Sequence, residues 1–434
     1  MRSVRAMKVA LYTLGCKVNQ WETGALAQLL RARGHGVVPW EAPADAYVIN
    51  TCTVTAVSDQ KSRRMIRRTR REHPGALLCV CGCLPQSDPE ATLAIADIDL
   101  LTGAGDRAGF VDRLEALHIH RIQTVAVDNA ARRTQYEQLP GGVGGRTRAL
   151  LKVQDGCDNR CTYCVIPSVR GPARSLPLEA AAAEAARLAG EGYRELVITG
   201  IEISSYGRDL PAGAGLAPLT EAICRAAPAL RVRLGSLEPR TLDAETAARL
   251  AALPNLCPHF HVALQSGCDE TLRRMGRRYD TAHYTGALAR LRAALPGCAV
   301  TTDLIVGFPG ETEAEFAGTL SFVEARAFSG MHIFPYSRRP GTPAADMPGQ
   351  VPRAEKRRRA AVAGRLAARM GDAYRAGCVG RTVQVLFETE MDGVCTGHAE
   401  NYQPVRCAAA GLRGQLRPAL VTSVSDGALV GQLI

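Results

Sequence analysis

The sequence has no apolar run approaching the roughly 18 to 20 residues that a bilayer span requires. The segment ALLCVCGCL is about half that length and lies between polar stretches. The N-terminal MRSVRAMKVALYTLG lacks the long apolar core and small-residue cleavage site of a secretory leader, and strand-like pattern begins only at Met7, which is read as the expected start. A cytoplasmic protein with no membrane partner is therefore expected. In a reducing cytosol disulfides are disfavoured, which leaves metal binding or catalysis for any clustered cysteines among the fifteen present. The scattered Cys224, Cys257, Cys298, Cys378, Cys395 and Cys407, and Cys268 beside Gly267, read instead as small buried core residues.

What is present points to a soluble, multidomain, basic protein. At 434 residues the chain is too long for one core, and 46% apolar with 22% charged residues is ordinary for a globular protein. A formal charge of +11 and a pI near 9.1 suit a polyanionic partner. In QKSRRMIRRTRREHP, Arg64, Arg67, Arg68 and Arg71 recur at three- and four-residue spacing and would line one helical face. RRMGRRY (273–279) and RAEKRRR (353–359) are further basic clusters, and together the three favour contact with RNA or DNA phosphate.

Three zones follow one another along the chain. Residues 7–140 alternate apolar strands with amphipathic helices, as expected for a doubly wound α/β layer structure. Its strands KVALYTL, AYVINT and ALLCVC run into Cys16, Cys52 and Cys83, and a parallel sheet would bring its carboxyl ends, with those cysteines, to one edge. Buried thiols at strand ends remain the competing reading. Cys79 and Cys81 alternate onto the same side as Cys83, which is preferred as ligand because it follows Gly82, where the chain can turn. The linker-like QLPGGVGGRTRA comes next. Residues 146–376 then carry six βα units, expected to form a partial (β/α)6 barrel with functional loops at its carboxyl ends and a basic linker helix at its close. Residues 377–434 read as a small antiparallel β-barrel, a fold that often binds nucleic acid. Four arginines, no lysine and five acidic residues leave that last segment nearly neutral.

The sharpest local signal is QDGCDNRCTYCVIP, which directly follows the first barrel strand and spaces Cys157, Cys161 and Cys164 as C-x3-C-x2-C. No fourth cysteine or histidine lies within a few residues, so a closed structural zinc site is incomplete. A catalytic zinc could keep one position open, but it usually takes histidine, and this segment has none. A cubane iron–sulfur cluster held by three cysteines leaves one iron free to bind something else, which makes iron–sulfur the better use of the motif.

These residues resemble the radical S-adenosylmethionine enzymes. Within that superfamily LGCKVNQWET, NTCTVTAVSDQKSR, CGCLPQ, TGIEISSYG, LQSGCDETLRRMGRRY, DLIVGFPGET and FPYSRRPGTPAA are together similar to the tRNA methylthiotransferases. The resemblance spans nearly the whole chain and implies an N-terminal cluster domain, a radical barrel and a C-terminal barrel of the TRAM type. It implies two [4Fe-4S] clusters, one on Cys157, Cys161 and Cys164 that cleaves S-adenosylmethionine, the other on Cys16, Cys52 and Cys83 that holds the transferred sulfur. A second S-adenosylmethionine would supply the methyl group, and a flavodoxin or ferredoxin the electron.

By motif position, Tyr163 would pack near the cofactor's adenine and Gly200 and Glu202 would meet its methionine amino group. Ser236 and Gln265 would contact ribose or carboxylate, and Gly307 would let backbone approach the adenine. Arg64, Arg67 and Arg68 would take tRNA phosphate. GCKVNQ, NTCTV and KSRRMIRR are most similar to the branch acting on N6-threonylcarbamoyladenosine beside the anticodon. The isopentenyladenosine branch typically reads GCQMN and the ribosomal-protein branch GCPKN. Relatives usually differ at Leu84-Pro85 and lack Cys79 and Cys81, which touches the identity of the third N-terminal ligand. The rival from another class is a noncatalytic RNA-binding protein holding zinc.

Overall fold

The computed structural model describes residues 5–141, 147–211 and 214–434. The glycine-rich core of the expected linker, residues 142–146, lies outside them. No helix among the described residues is long and apolar enough to cross a membrane.

The N-terminal sheet is parallel throughout: β1 (Lys8–Thr13), β2 (Gly36–Val38), β3 (Ala46–Thr51), β4 (Leu77–Gly82), β5 (Leu100–Thr102) and β6 (Thr124–Ala126), in the order β2-β1-β3-β4-β5-β6. AYVINT and LLCVCG are buried at every position, because helices cover both faces of a central parallel strand. One face packs Leu26, Phe110 and Leu114 against Val9, Val48 and Cys79; the other packs Ile66, Leu84 and Ile95 against Ile49 and Val80. This is the expected doubly wound arrangement. The strand order reverses between β1 and β3, which opens a crevice at their carboxyl ends.

Six further parallel strands, β7 (Arg148–Asp155), β9 (Glu195–Gly200), β10 continued by β11 (Arg231–Leu234 and Ser236–Leu237), β12 (His259–Val262), β13 (Ala299–Val306) and β14 (Gly330–Pro335), form the partial barrel. A two-residue strand, β8 (Arg174–Ser175), pairs antiparallel with the end of β7. Alternation sorts the side chains: Leu151, Ile198, Val232, Phe260 and Val300 join the core under the helices, while Lys152, Val197, Arg233, His261 and Asp303 turn to the lumen. The basic helix Arg353–Ala376 packs along β14.

The C-terminal strands β15 (Thr382–Met391), β16 (Val394–Ala399), β17 (Pro404–Ala408), β18 (Leu416–Ser425) and β19 (Ala428–Leu433) close into a barrel ordered β15-β16-β17-β19-β18. It is not wholly antiparallel as expected. β17 and β19 pair in parallel, and that pairing closes the cylinder. The barrel docks at the amino ends of the radical-barrel strands. There Arg231 donates to the Gln384 and His398 carbonyls, Arg233 to those of Ala399 and Glu400, and Arg148 pairs with Glu388 at 2.8 Å.

Candidate active site at a junction of two cysteine triads

Cys16, Cys52 and Cys83 follow β1, β3 and β4, so the first two flank the reversal in strand order. Cys16 precedes helix α1 (Lys17–Ala32), and Cys83 opens the short helix Cys83–Ser87. Gly15, at φ +104°, presses its loop so closely on the next that an added Cβ would stand 2.9 Å from the Cys52 sulfur. Burial raises the Cys52 thiol, with Cys16 adding to the rise; burial likewise pushes Cys83 up to about 12, with Arg170 opposing and Cys52 and Cys16 adding. Three sequence-distant thiols thus gather at one sheet edge, and a metal held there would take them as thiolates.

Gly82 separates Cys83 from its neighbours. At φ +100° it turns the chain, so the alternation that sends Cys79 and Cys81 into the Phe110 core does not extend to Cys83. A Cβ at Gly82 would lie 2.5 Å from the Thr51 carbonyl oxygen. Gly82→Ala is expected to cost about 3 kcal/mol and to displace Cys83. The denaturation midpoint and the iron content after anaerobic reconstitution check this, both expected to fall.

Cys157, Cys161 and Cys164 occupy the loop after β7. Gly156, at φ +73°, lies against Pro172, where a Cβ would approach the carbonyl oxygen to 1.9 Å, and the Cys157 N–H donates to the Gly171 carbonyl at 3.0 Å. The Ile166 N–H donates to the Cys164 sulfur at 3.4 Å. Burial, reinforced by neighbouring thiols, pushes Cys157 up to about 12 and Cys164 up to about 11.

Arg277 donates from Nη1 to the Cys161 sulfur at 3.1 Å, pairs with Glu238 at 3.3 Å and lies 4.8 Å from the Tyr279 ring. Sequence reasoning missed it, reading RRMGRRY as a phosphate-binding cluster. In the fold Arg274 pairs inward with Glu315 at 2.8 Å, and of the four arginines only Arg273 and Arg278 are exposed. In the 353–359 cluster Arg359 is buried on Glu311 at 2.7 Å and Arg358 pairs with Glu313 at 2.6 Å. Arginines lacking acidic partners among the described residues persist on the helix Ala56–Glu72: Arg64, Arg67 and Arg71 are exposed there, while Arg68 pairs with Glu72 at 3.0 Å. Replacing Arg277 by Gln removes a charged donor from a candidate ligand sulfur. A 10- to 100-fold fall in activity is expected, with a more negative reduction potential in an anaerobic titration.

The remaining expected contacts gather at the same rim. Tyr163 packs edge-on to Phe308, with ring centroids 6.3 Å apart. Glu202 accepts from the Ser204 N–H at 3.1 Å and from Asn159 at 3.4 Å. Burial, then Glu238, pushes its carboxyl up to about 7, so an arriving ammonium would restore its charge. A Cβ on Gly200 would meet the Gln154 carbonyl oxygen at 2.9 Å. Ser236 is exposed, and Gln265 sits in the left-handed region at φ +71°, an uncommon place for a residue with a side chain. Gly307 has a local reason to be glycine: a Cβ would stand 2.3 Å from the Lys356 stem. The buried Asn159 Oδ1 lacks a hydrogen-bond partner among the described residues. Three thiols, that orphaned acceptor and a near-neutral Glu202 suit a thiolate-held cluster with a cofactor bearing an amino group.

The two triads are joined through buried charge. Arg170 ends the helical turn Ile166–Arg170 after Cys164, and this turn packs on the helix Cys83–Ser87. Arg170 reaches Glu22 on α1 and donates to Asn19 Oδ1 at 3.0 Å; Asn19 in turn donates to the Leu14 and Thr51 carbonyls beside Cys16 and Cys52. Glu22 also meets Arg107 at 2.9 Å and Lys152 at 3.3 Å, and Lys152 meets Asp155 at 2.8 Å. Burial alone would raise the Glu22 carboxyl, but Arg170, Arg107 and Lys152 hold it well below the carboxylate range. Arg339, from FPYSRRPGTPAA, clasps the Cys52 loop from the other side through Thr53 at 2.5 Å and Asp59 at 3.1 Å.

Comparison with known proteins agrees with this architecture. Residues 151–323 match the radical SAM superfamily and residues 8–103 the uncharacterized protein family UPF0004. The threonylcarbamoyladenosine tRNA methylthiotransferase MtaB of Bacillus subtilis is 39% identical over 92% of this chain and 89% of its own length. The Thermotoga maritima protein of the same name is 38% identical over 97% and 96%. A tRNA-2-methylthio-N(6)-dimethylallyladenosine synthase of Frankia alni is 35% identical over 96% and 86%. Among solved structures, the radical S-adenosylmethionine methyltransferase TsrM of Kitasatospora setae, with cobalamin and a [4Fe-4S] cluster bound, superposes with a TM-score of 0.56. That match has 16% identity over 90% of this chain and 80% of that one, a likeness of fold. Identity at this level over nearly the full length places the chain in the radical S-adenosylmethionine tRNA methylthiotransferase family, in the branch that holds the MtaB enzymes.

Proposed function

We propose that the chain transfers a methylthio group to C2 of N6-threonylcarbamoyladenosine next to the anticodon of tRNA. One observation carries the reading: the turn that follows Cys164 packs on the helix that Cys83 opens, in a chain whose relatives bear that activity in their names. Residues 7–140 and 146–376 would each hold one [4Fe-4S] cluster, and residues 377–434 would form the third unit. When bound, the clusters and S-adenosylmethionine supply radical and sulfur chemistry, which an adenine C2–H with no acidity and no leaving group requires.

The chain's own residues would bind, orient and shield. Cys157, Cys161 and Cys164 would hold one cluster and Cys16, Cys52 and Cys83 the other. Glu202 would accept from the cofactor's amino group, with Tyr163, Gly200, Ser236, Gln265 and Gly307 around it. Arg277 would fix the Cys161 sulfur. Arg64, Arg67 and Arg68 would take tRNA phosphate, where each contact adds salt-dependent, sequence-blind affinity. The reaction would run in the cytoplasm with a flavodoxin- or ferredoxin-type donor.

Nucleoside analysis of tRNA from a deletion strain tests the reading. Loss of the 2-methylthio derivative of threonylcarbamoyladenosine, restored by the gene, supports it. Loss only of the isopentenyladenosine derivative, or of no tRNA nucleoside, overturns it.

A further inference from the structure

Between α1, the amino half of the radical barrel and the C-terminal barrel lies a cavity of about 430 Å³. All three parts of the chain contribute to its wall: Lys17 and Gln20 from α1, Arg148 and Arg233 from the barrel, Glu388, Tyr402 and Arg413 from the C-terminal barrel. Four cations thus face one carboxylate. Arg148 and Arg233 are already compensated, by Glu388 at 2.8 Å and Glu195 at 3.0 Å respectively. Lys17 and Arg413 have no acidic partner among the described residues. The Tyr402 ring is 5.0 Å from His398 and 4.9 Å from His259, with the Arg233 guanidinium 4.7 Å away. Lys17 shares the cavity wall with Leu150, Val197 and Arg233 of the barrel strands, so it borders the barrel interior. A concave, partly aromatic site with two uncompensated cations is built for an anion on an organic arm.

Resting on the proposed function, the geometry points to this cavity as the seat of the threonyl carboxylate, with Lys17 and Arg413 as its specificity-determining contacts. Lys17 is the residue next to Cys16. If C2 of the adenine meets the sulfur held at Cys16, the N6 substituent leaves the same ring two bonds further on, past Lys17 into the lumen. The threonylcarbamoyl arm ends in a carboxylate, whereas an isopentenyl arm is uncharged and gives neither cation a partner.

The test uses the anaerobically reconstituted full chain and one tRNA in two forms, carrying threonylcarbamoyladenosine or unmodified adenosine. Wild type is expected to bind the modified form more tightly. Lys17→Gln and Arg413→Gln should each cut that preference about 10- to 100-fold, the scale of one hydrogen bond to a charged group. Lys17→Arg should keep most of it, and iron content should be unchanged in all. Equal weakening toward both tRNAs would assign these cations to backbone phosphate and overturn the inference, as would an undiminished preference. Arg413→Gln, remote in sequence from both cysteine triads, carries the test if Lys17→Gln fails to fold. A wild-type enzyme that makes no methylthiolated product from the modified tRNA sinks the proposed function itself; intact activity with unaltered selectivity in the variants sinks only the carboxylate site.

Discussion

Cys161→Ala is expected to abolish both reductive cleavage of S-adenosylmethionine and methylthiolation, whereas Cys52→Ala should abolish methylthiolation and spare cleavage. The split follows from geometry. Each triad gathers on its own sheet edge, so loss of one thiol leaves the other set of three intact. Each variant should retain one cubane, about four irons per chain against about eight for wild type. Iron analysis, visible absorbance and quantification of 5′-deoxyadenosine and the methylthio nucleoside give four independent readouts. A colourless protein carrying zinc, or a Cys161→Ala variant that still forms 5′-deoxyadenosine, would dismiss the assignment of the two triads.

The C-x3-C-x2-C loop was legible in the sequence because its three ligand-type residues lie within eight positions of one another. The gathering of Cys16, Cys52 and Cys83 was legible for a different reason. Each ends an apolar run, and parallel topology brings such ends to one edge. What escaped was everything fixed by side-chain direction rather than by chain path. RRMGRRY and RAEKRRR have the composition of phosphate-binding surface, yet Arg277 turns to the Cys161 sulfur and Arg359 to Glu311. Their partners lie 116 and 48 residues away, and no local pattern announces them. The short strands β2, β5 and β6, of three residues each, also escaped. Too few positions alternate in them to make a period. The parallel β17–β19 contact escaped as well, since barrel closure is a property of the whole sheet.

Glu22→Gln should produce the largest loss of stability in the chain. Glu22 is 1% exposed and stands against Arg107, Arg170 and Lys152, so neutralising it strands several buried cations at once. Removing one partner of a buried ion pair typically costs about 3–5 kcal/mol. By contrast Asp112→Asn, at the exposed pair with Arg33, should cost less than about 1 kcal/mol. Acid titration separates the causes. Burial would raise both carboxyls, but their cationic neighbours hold Glu22 well below its ordinary 4.5 and Asp155 at about 2, below its ordinary 3.8. Groups depressed in the folded state stabilise it above their unfolded pKa and lose that contribution as pH falls through the folded one. Wild-type stability should therefore decline steeply from about pH 4.5 toward pH 2, and Glu22→Gln should flatten the upper part of that slope while lowering the plateau. Because Arg170 and Asp155 flank the C-x3-C-x2-C loop while Asn19 and Glu22 follow Cys16, the same variant should loosen the register between the triads. Faster loss of iron on chelator challenge at neutral pH, where Asp112→Asn behaves as wild type, is the accompanying result. A Glu22→Gln protein with full iron retention and an unaltered acid slope would mean that the junction is held by Arg339 and packing instead.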